Sequence, residues 1–228
     1  MNIKKYKIVK TFKIRNRKLS KKKKYLLNFL WPLIGINLKK SFIKKYNFFH
    51  FQAPIILEIG FGRGDSLIHL SKIFKNIIFL GIEMYIPGIC YCLEKIYKNN
   101  LNNVKIIYCD FIIFLKKYCN GIFFHRVNIF FPDPWPKRKH YKRRIINKNI
   151  LKSLFDKLIL GGILHIMTDC LSYAMSILKN LNKLNSLNKI SFIKNHHFFK
   201  NYNFFTCFKN KAKNNKKTIY EIIFQKNF

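Results

Sequence analysis

From residue 54 onward, short runs of apolar and β-branched residues alternate with longer segments of mixed polarity. The runs have the length of buried β-strands, and the segments between them have the length of helices. The predicted strands are Ile55–Gly60, Ile77–Glu83, Lys105–Asp110, Arg126–Asp133, Ile163–Asp169 and Thr218–Gln225, and the predicted helices span 65–75, 87–99, 142–160 and 171–184. The segment 180–216, rich in Asn and Lys, has no clear assignment. The alternation is typical of an α/β domain with a mostly parallel sheet and helices on both faces.

The first 50 residues follow a different pattern, and they are predicted to form a basic N-terminal extension ahead of a domain that spans 51–228. Lys and Arg dominate this extension up to the run Lys21–Lys24. Such a run is either a solvated, mobile arm or a contact to nucleic acid. The apolar stretch 25–31 predicts a short helix that Pro32 stops.

Composition adds a strong positive charge to this picture. The 228 residues include 45 Lys and Arg against 9 Asp and Glu, a formal net charge of +36, while 49% are hydrophobic and 17% aromatic. The apolar content predicts a folded core, and the charge favours a polyanionic partner. Lys, Asn, Ile and Phe all have A/T-rich codons, and the hypothesis that part of the charge records drift in an A/T-biased genome stays open beside the first.

The cysteines and the apolar runs exclude several classes of protein. None of the six cysteines forms a CxxC pair, which argues against zinc ribbons and disulfide frameworks. No apolar run has the length of a membrane span without a charge or a proline. We therefore expect a cytoplasmic protein with no metal and no membrane partner, and both a monomer and a homodimer remain open.

The few carboxylates are concentrated in one part of the predicted fold. Five of the nine lie at or near the carboxyl ends of five successive predicted strands: Glu58, Glu83, Asp110, Asp133 and Asp169. Open α/β sheets bind their ligands outside the carboxyl ends of their strands. Helix capping explains some of this placement, but the set as a whole indicates a functional edge.

The turn after the first predicted strand reads E-I-G-F-G-R-G from Glu58 to Gly64. Glycines allow a turn to fold tightly and to approach a ligand closely. With Glu83 about 20 residues further on, the layout suits NAD(P) or S-adenosylmethionine. A carboxylate at Glu58 repels a pyrophosphate and attracts an ammonium and a sulfonium, which favours S-adenosylmethionine. The motif resembles the opening motif of class I methyltransferases, in which Asp110 would contact the adenine.

A second motif runs from Asn128 to Arg144, and its centre reads P-D-P-W-P-K around Asp133. Two prolines stiffen the backbone on both sides of Asp133 and hold its carboxylate in place. Trp135 offers an apolar or stacking surface. The Lys and Arg residues that follow it are numerous enough to bind several phosphates. A rigid acid, an aromatic ring and a phosphate clamp on one loop indicate a site for a nucleotide substrate.

This second motif resembles the bacterial tRNA (guanine-N7)-methyltransferase family, often called the TrmB family, and the likeness covers about residues 11–225. Further matches are R-N-R at 15–17, Trp31-Pro32, Gly81–Glu83, Gly161-Gly162, Thr168-Asp169 and Thr206–Phe208. The resemblance implies a Rossmann-like class I methyltransferase fold with a mostly parallel, seven-stranded sheet.

The resemblance also implies a reaction and roles for individual residues. The reaction is transfer of a methyl group from S-adenosyl-L-methionine to N7 of guanine in tRNA, at guanosine 46 of the variable loop, which forms 7-methylguanosine. Cofactor contacts are implied for Glu58, Gly60, Gly62, Glu83, Asp110 and Asp133, and Asp133 is also the implied catalytic residue. Substrate contacts are implied for Lys137, Asp169, Thr206, Cys207, Phe208 and Lys209, and an RNA-binding stretch for Lys139, His140, Tyr141, Lys142, Arg143 and Arg144.

One position departs from the family pattern. The family commonly shows an acidic residue after Thr-x-Phe, where this chain has Lys209. A Lys cannot accept hydrogen bonds from a guanine edge, so the contact is dispensable, or Lys209 contacts phosphate, or activity is weakened. Two alternatives stay open beside the main interpretation. One is a methyltransferase for another RNA or a small molecule, and the other is a catalytically weakened RNA-binding relative.

Overall fold

Strands and helices alternate along the residues that the computed structural model describes, which are 18–38, 53–185, 190–192 and 214–227. The helices are α1 (Lys21–Ile34), α2 (Asp65–Ile73), α3 (Ile86–Lys98), α4 (Phe111–Lys117), α5 (Lys148–Asp156) and α6 (Leu171–Asn185), with a 3-10 helix at Arg138–Arg143. The strands are β1 (Gly35–Ile36), β2 (Ile55–Ile59), β3 (Ile78–Glu83), β4 (Val104–Tyr108), β5 (Phe124–Phe130), β6 (Leu158–Thr168), β7 (Ile190–Phe192) and β8 (Tyr220–Lys226).

All the described strands join one sheet, in the order β1-β4-β3-β2-β5-β6-β8-β7. Strands β1 to β6 pair in parallel, and β8 is antiparallel to both β6 and β7. The predicted mostly parallel, seven-stranded sheet is confirmed, with the two-residue β1 as an additional edge strand. The strand order reverses on the two sides of β2, and such a switch point is where open α/β sheets bind ligands.

Helices cover both faces of the sheet, as predicted. On one face α4, α5 and α6 contribute buried residues such as Phe114, Leu151 and Leu181. On the other face α1, α2 and α3 contribute residues such as Leu30 and Leu67. The central strand β2 is buried along its whole length, which explains its continuous apolar sequence, because a parallel strand covered on both faces has no solvent side. None of the described helices is both long and apolar enough to span a membrane.

Helix α1 differs from the short helix predicted for 25–31. It begins earlier, because Ser20 caps it: the Ser20 side chain accepts from the backbone N–H of Lys23 at 3.4 Å. The expectation that Pro32 stops the helix is wrong, since the helix continues to Ile34. A proline in the last turn removes one backbone hydrogen bond, and Nζ of Lys105 supports this end by donating to the carbonyl oxygen of Leu33 at 3.1 Å.

The helix predicted for 142–160 is wrong in extent. The segment starts within the 3-10 helix, becomes extended at Arg144, and forms α5 only after Asn147, whose side chain accepts from the N–H of Ile150 at 3.1 Å. Strand β6 already begins at Leu158. Helix α4 was not predicted, because its short apolar sequence cannot be told from a strand by periodicity.

The predicted N-terminal extension contributes structure to the main sheet. Within its described part, α1 packs against α3, and β1 pairs in parallel with β4. The proposed division between 1–50 and 51–228 remains a prediction. Strand β7 lies in the segment that the sequence pattern left unassigned.

Candidate active site

The parallel sheet brings the five predicted strand-end carboxylates to one edge. Glu58 lies in β2, and Glu83 is the last residue of β3. Asp110, Asp133 and Asp169 follow the ends of β4, β5 and β6, respectively. These five strands are consecutive neighbours in the sheet and run in the same direction, so the side chains line a single edge with β2 in the middle.

The glycine-rich turn after β2 requires glycine for two different reasons. Gly60, Gly62 and Gly64 all have a left-handed backbone conformation, with φ of 70°, 59° and 75°. Residues other than glycine adopt this conformation only with strain. A Cβ on Gly60 or Gly62 would meet nothing within 4 Å, whereas one on Gly64 would lie 2.3 Å from Sγ of Cys92. The first two glycines therefore border open space, and the third allows the turn to pack against α3.

Glu83 holds this turn in place. Its Oε2 accepts from the N–H of Gly62 at 2.7 Å, and its Oε1 accepts from the N–H groups of Met84 and Tyr85 at 2.6 and 2.8 Å. Burial raises the pKa of Glu83, and these three backbone donors offset part of the rise. The carboxylate thereby joins the end of β3 to the turn after β2.

Glu58 is a buried carboxyl group beside the turn. Burial raises its pKa from 4.5 to about 8, and the negative charges of Asp65 and Glu83 add to the rise. The nearby Ser66 hydroxyl offsets part of this rise in pKa. It is not close enough or well enough oriented to form a hydrogen bond with Oε2 of Glu58, and both of these oxygens lack a partner in the described structure. A buried carboxyl oxygen without a partner is costly, and a positively charged ligand beside Oε2 would satisfy it.

Asp110 has a structural role at the start of α4. Its Oδ1 accepts from the N–H groups of Ile112 and Ile113, at 2.8 and 3.4 Å, and so caps the helix. Capping fixes the direction of the carboxylate at the end of β4. Asp110 follows β4, the strand next to the one that ends in Glu83, and its contact with the adenine remains a prediction.

The loop after β5 presents Asp133 to solvent on a strained backbone. Phe131 and Trp135, on the two sides of the P-D-P sequence, have φ of 49° and 44°. Bulky residues adopt left-handed backbone rarely, and such outliers concentrate at functional sites. The N–H of Phe131 donates to the carbonyl oxygen of Met167 at 2.8 Å and anchors the loop to β6. The negative charge of Asp133 acts on Glu83 and contributes to its raised pKa.

Trp135 provides the apolar surface that was one of its two predicted roles, and the other, an exposed stacking surface, is wrong. The ring is buried. His140 packs edge-on against it with the ring centroids 5.7 Å apart, and the guanidinium of Arg143 lies 4.9 Å from the ring centroid. Trp135 therefore serves as a hydrophobic anchor for the 3-10 helix that follows it.

Arg144 differs from the other residues of the predicted RNA-binding stretch because it is buried. Its Nε donates to the carbonyl oxygen of Pro134 at 2.8 Å, and its Nη2 donates to Oγ of Ser172 at 3.3 Å. Its guanidinium also lies 4.7 Å from the ring centroid of Tyr173. These contacts tie the Asp133 loop to α6, and a direct contact with RNA does not fit this burial.

The other predicted substrate residues are placed as follows. Lys139, Tyr141 and Lys142 are exposed on the 3-10 helix, and Lys137 is exposed immediately before it. Asp169 forms an ion pair with Lys217, with Nζ and Oδ2 3.0 Å apart, and a partly exposed pair of this kind exchanges partners at little cost. Thr206, Cys207, Phe208 and Lys209 lie outside the described residues.

Sequence patterns alone do not identify two features of the site. Gly88 of α3 allows close packing against the glycine-rich turn, because a Cβ there would lie 2.2 Å from the carbonyl oxygen of Gly62. A Pro-Gly pair at the start of the helix was the available signal.

The second missed feature is a buried polar row that continues from Glu58 across β5 and β6. Glu58 is in register with Asn128, which is in register with His165. Arg126 donates from Nε to Oδ1 of Asn128 at 2.8 Å and contacts His165 through Nη2. Nε2 of His165 lies 2.7 Å from Oε1 of Glu221. Polar residues inside apolar strand runs were the signal for this row.

Known proteins are similar to this chain over most of its length. The model of a family described as "Putative methyltransferase" matches residues 52–222. The tRNA (guanine-N(7)-)-methyltransferase of Buchnera aphidicola subsp. Baizongia pistaciae (strain Bp) is 45% identical over 179 residues, which are 77% of this chain and 73% of that protein. The chain belongs to the tRNA (guanine-N7)-methyltransferase family.

Two further comparisons agree with this family. The protein of the same name from Buchnera aphidicola subsp. Acyrthosiphon pisum (strain Tuc7) is 38% identical over 207 residues, which are 91% of this chain and 84% of that protein. The crystal structure of the 16S rRNA methyltransferase KamB superposes with a TM-score of 0.61 at 8% identity, over 84% of this chain and 95% of that one. That similarity shows the fold.

A member of this methyltransferase family uses S-adenosyl-L-methionine, and the residues present fit it. The partnerless Oε2 of Glu58 suits a cationic ligand. Gly60 and Gly62 border open space where a ligand can approach the backbone. Glu83 ends β3 and Asp110 follows β4, and these two strands are the next along the same edge of the sheet from β2.

Proposed function

We propose that this protein transfers the methyl group of S-adenosyl-L-methionine to N7 of guanine in tRNA, at guanosine 46 of the variable loop, and forms 7-methylguanosine. The observation that carries the proposal is the Asp133 loop, which holds an exposed carboxylate on strained backbone at the edge that carries Glu58 and Glu83. The names of the relatives support the same reaction. Its partner is tRNA, and its expected location is the cytoplasm.

Guanine N7 suits a site whose described residues include an exposed carboxylate at Asp133. N7 is an unprotonated acceptor in neutral nucleic acid, so its lone pair can attack without prior removal of a proton. When bound, the cofactor supplies an electrophilic methyl group on a sulfonium, whose sulfur keeps the bonding electron pair on transfer. The guanine ring gains positive charge, and Asp133 stabilises this charge more in the transition state than in the ground state.

Each cofactor-binding residue is assigned to a different part of the cofactor, according to the strand that carries it. We assign the cationic groups of the cofactor to Glu58, the ribose hydroxyls to Glu83 and the adenine to Asp110, with the backbone of Gly60 and Gly62 against the ligand. Because Glu83 is itself held by three backbone donors, it positions the turn and the ligand together. Such preorganisation reduces the entropic cost of bringing the reacting atoms into line.

The RNA contacts lie on the β5–β6 side of the cofactor site. Lys137, Lys139 and Lys142 are exposed there and are assigned to phosphates, which position the RNA without reading its sequence. Asp169 and the segment from Thr206 to Lys209 are assigned to the guanosine and its neighbours. In RNA helices the deep groove hides N7, so the acceptor must be an accessible guanosine, as in a loop or a tertiary fold.

The test is transfer of labelled methyl groups to unmodified tRNA, followed by mapping of the modified base. Asp133→Asn should reduce turnover by about a hundredfold or more, since an oriented charged group of this kind typically contributes that much, and it should also weaken the binding of S-adenosylhomocysteine, to a smaller extent, because Asp133 is a predicted cofactor contact. Asp156→Asn is the matched control because Asp156 is an exposed carboxylate of α5. Full turnover in Asp133→Asn would contradict the assigned role.

A further inference from the structure

The outer surface of α1 and α3 carries lysines and aromatic rings that the proposed catalysis does not use. Lys21–Lys24 form the exposed first turn of α1. Tyr25 and Phe29 on α1 and Tyr97 on α3 expose 69%, 48% and 51% of their surface, respectively. We call these residues the α1–α3 surface.

The three rings of the α1–α3 surface pack against one another while they face solvent. Tyr25 and Phe29 are stacked with centroids 6.2 Å apart and planes 5° from parallel. Tyr97 meets Phe29 edge-on, with centroids 5.9 Å apart. Contiguous exposed aromatic groups mark interaction sites, and aromatic platforms beside positive charge are what proteins use to bind unpaired bases.

The α1–α3 surface begins near the edge of the sheet that carries the cofactor carboxylates. Helix α3 starts shortly after Glu83, and Sγ of Cys90 in its second turn donates to the carbonyl oxygen of Lys23 at 3.7 Å. The lysine turn of α1 therefore lies close to the carboxyl end of β3. It is on the β3–β4 half of the sheet, whereas the basic segment after β5 is on the other half.

Local structure does not account for these lysines. Glu94 is the single acidic residue of the two helices, and Lys98 already holds it, with Nζ and Oε1 2.8 Å apart. That hydrogen bond lowers the pKa of Glu94, and the charge of Lys22 contributes. A helix dipole favours carboxylates rather than lysines in a first turn. The surface therefore keeps a large excess of positive charge.

We propose that the α1–α3 surface binds the RNA substrate, with Lys21–Lys24 against phosphates and the stack of Tyr25 and Phe29 against an unpaired base. The proposal rests on the proposed function, because an acceptor RNA must reach this edge of the sheet. RNA is the partner that matches both features, since it carries phosphates and exposed bases within a short distance of each other. Contacts here and after β5 place the RNA across the cofactor site.

The aromatic rings are tested by tRNA binding, measured by fluorescence anisotropy with unmodified labelled tRNA. The double variant Tyr25→Ala/Phe29→Ala should raise the Kd for tRNA by about tenfold, as expected when one base can no longer stack. Phe123→Ala is the matched control, because Phe123 is 49% exposed and lies next to the amino end of β5. An equal Kd for the double variant and this control would overturn the proposal.

The lysines are tested by the salt dependence of the same binding. Lys21→Gln/Lys24→Gln should lower the slope of log Kd against log salt by about one for each phosphate that the variant no longer neutralises. Lys72→Gln/Lys75→Gln removes the same charge at the far end of α2, where both lysines are exposed. If the control pair lowers the slope as much as the test pair, the attraction is a general effect of net charge and the proposal fails.

Methyl transfer in the same samples separates this proposal from the proposed function. At a temperature where it is fully folded, the ring variant should show a raised KM for tRNA, with unchanged kcat and unchanged affinity for S-adenosylhomocysteine. If wild type methylates tRNA and the ring variant has the wild-type KM, the surface proposal is refuted and the function stands. If wild type binds tRNA without methylating it, the function is refuted, and the anisotropy result alone decides the surface.

Discussion

Glu58→Gln should stabilise the protein at high pH and leave it nearly unchanged at low pH. Burial raises the pKa of Glu58 from 4.5 to about 8, so at neutral pH the folded protein keeps a proton that the unfolded chain has released. Whenever the folded state binds more protons, the free energy of unfolding falls as pH rises. The stability that the protonated form provides is complete below about pH 4.5 and disappears as the pH passes 8.

The magnitude follows from the two pKa values. Between pH 5.5 and pH 7.5 the free energy of unfolding of wild type should fall relative to that of Glu58→Gln by about 2–3 kcal/mol, at about 1.4 kcal/mol per pH unit. Gln keeps the shape of the protonated carboxyl group and does not titrate. Because Glu58 is buried, solvent screening does not reduce this value. Above pH 8 the difference should level off.

Urea denaturation of both proteins at fixed ionic strength measures this difference. Titration of the other groups affects both proteins equally and cancels in the comparison. Asp156→Asn, at an exposed carboxylate, should follow the wild-type curve. A gap between wild type and Glu58→Gln that stays constant from pH 5.5 to pH 8 would contradict a raised pKa of Glu58, because it would mean that Glu58 is already ionised throughout this range.

The remaining predictions concern the cofactor turn and the Asp133 loop. Gly88→Ala should weaken S-adenosylhomocysteine binding about tenfold or more in calorimetry, because its Cβ would lie 2.2 Å from the carbonyl oxygen of Gly62; unchanged affinity would contradict the close packing. Arg144→Lys keeps the charge but cannot reproduce both hydrogen bonds to Pro134 and Ser172. It should lower kcat about tenfold with little change in KM for tRNA, whereas a raised KM with normal kcat would indicate a phosphate contact. At saturating S-adenosylmethionine and pH 7.5, wild type should gain more stability than Glu58→Gln, and an equal gain would argue against a cationic group beside Glu58.

Much of the fold and the edge of the site could be predicted, because both follow from local rules. Apolar runs of strand length alternating with helices require a parallel sheet, and a parallel sheet places residues such as Glu83 and Asp169 on one edge whatever the details of packing. The glycine-rich turn was likewise predictable, because left-handed backbone at Gly60 and Gly62 calls for glycine.

The parts that were missed depend on contacts between distant residues. Trp135 and Arg144 occur in a strongly basic segment, and only the packing of the loop against α6 shows that both are buried. Helix α4 has an apolar sequence that reads equally well as a strand, and its identity depends on the cap that Asp110 supplies. The polar row through Arg126 and His165 is visible only when β5 and β6 are placed side by side.

The most direct test of methylation at guanine N7 compares two tRNAs that differ at a single ring position. One carries guanosine at the acceptor position of the variable loop, and the other carries 7-deazaguanosine, which has a carbon in place of N7 and is otherwise paired and shaped in the same way. We expect labelled methyl groups to be transferred to the first tRNA and not to the second, while both bind with similar Kd. Equal labelling of the two tRNAs, or no labelling of either, would contradict methylation at guanine N7.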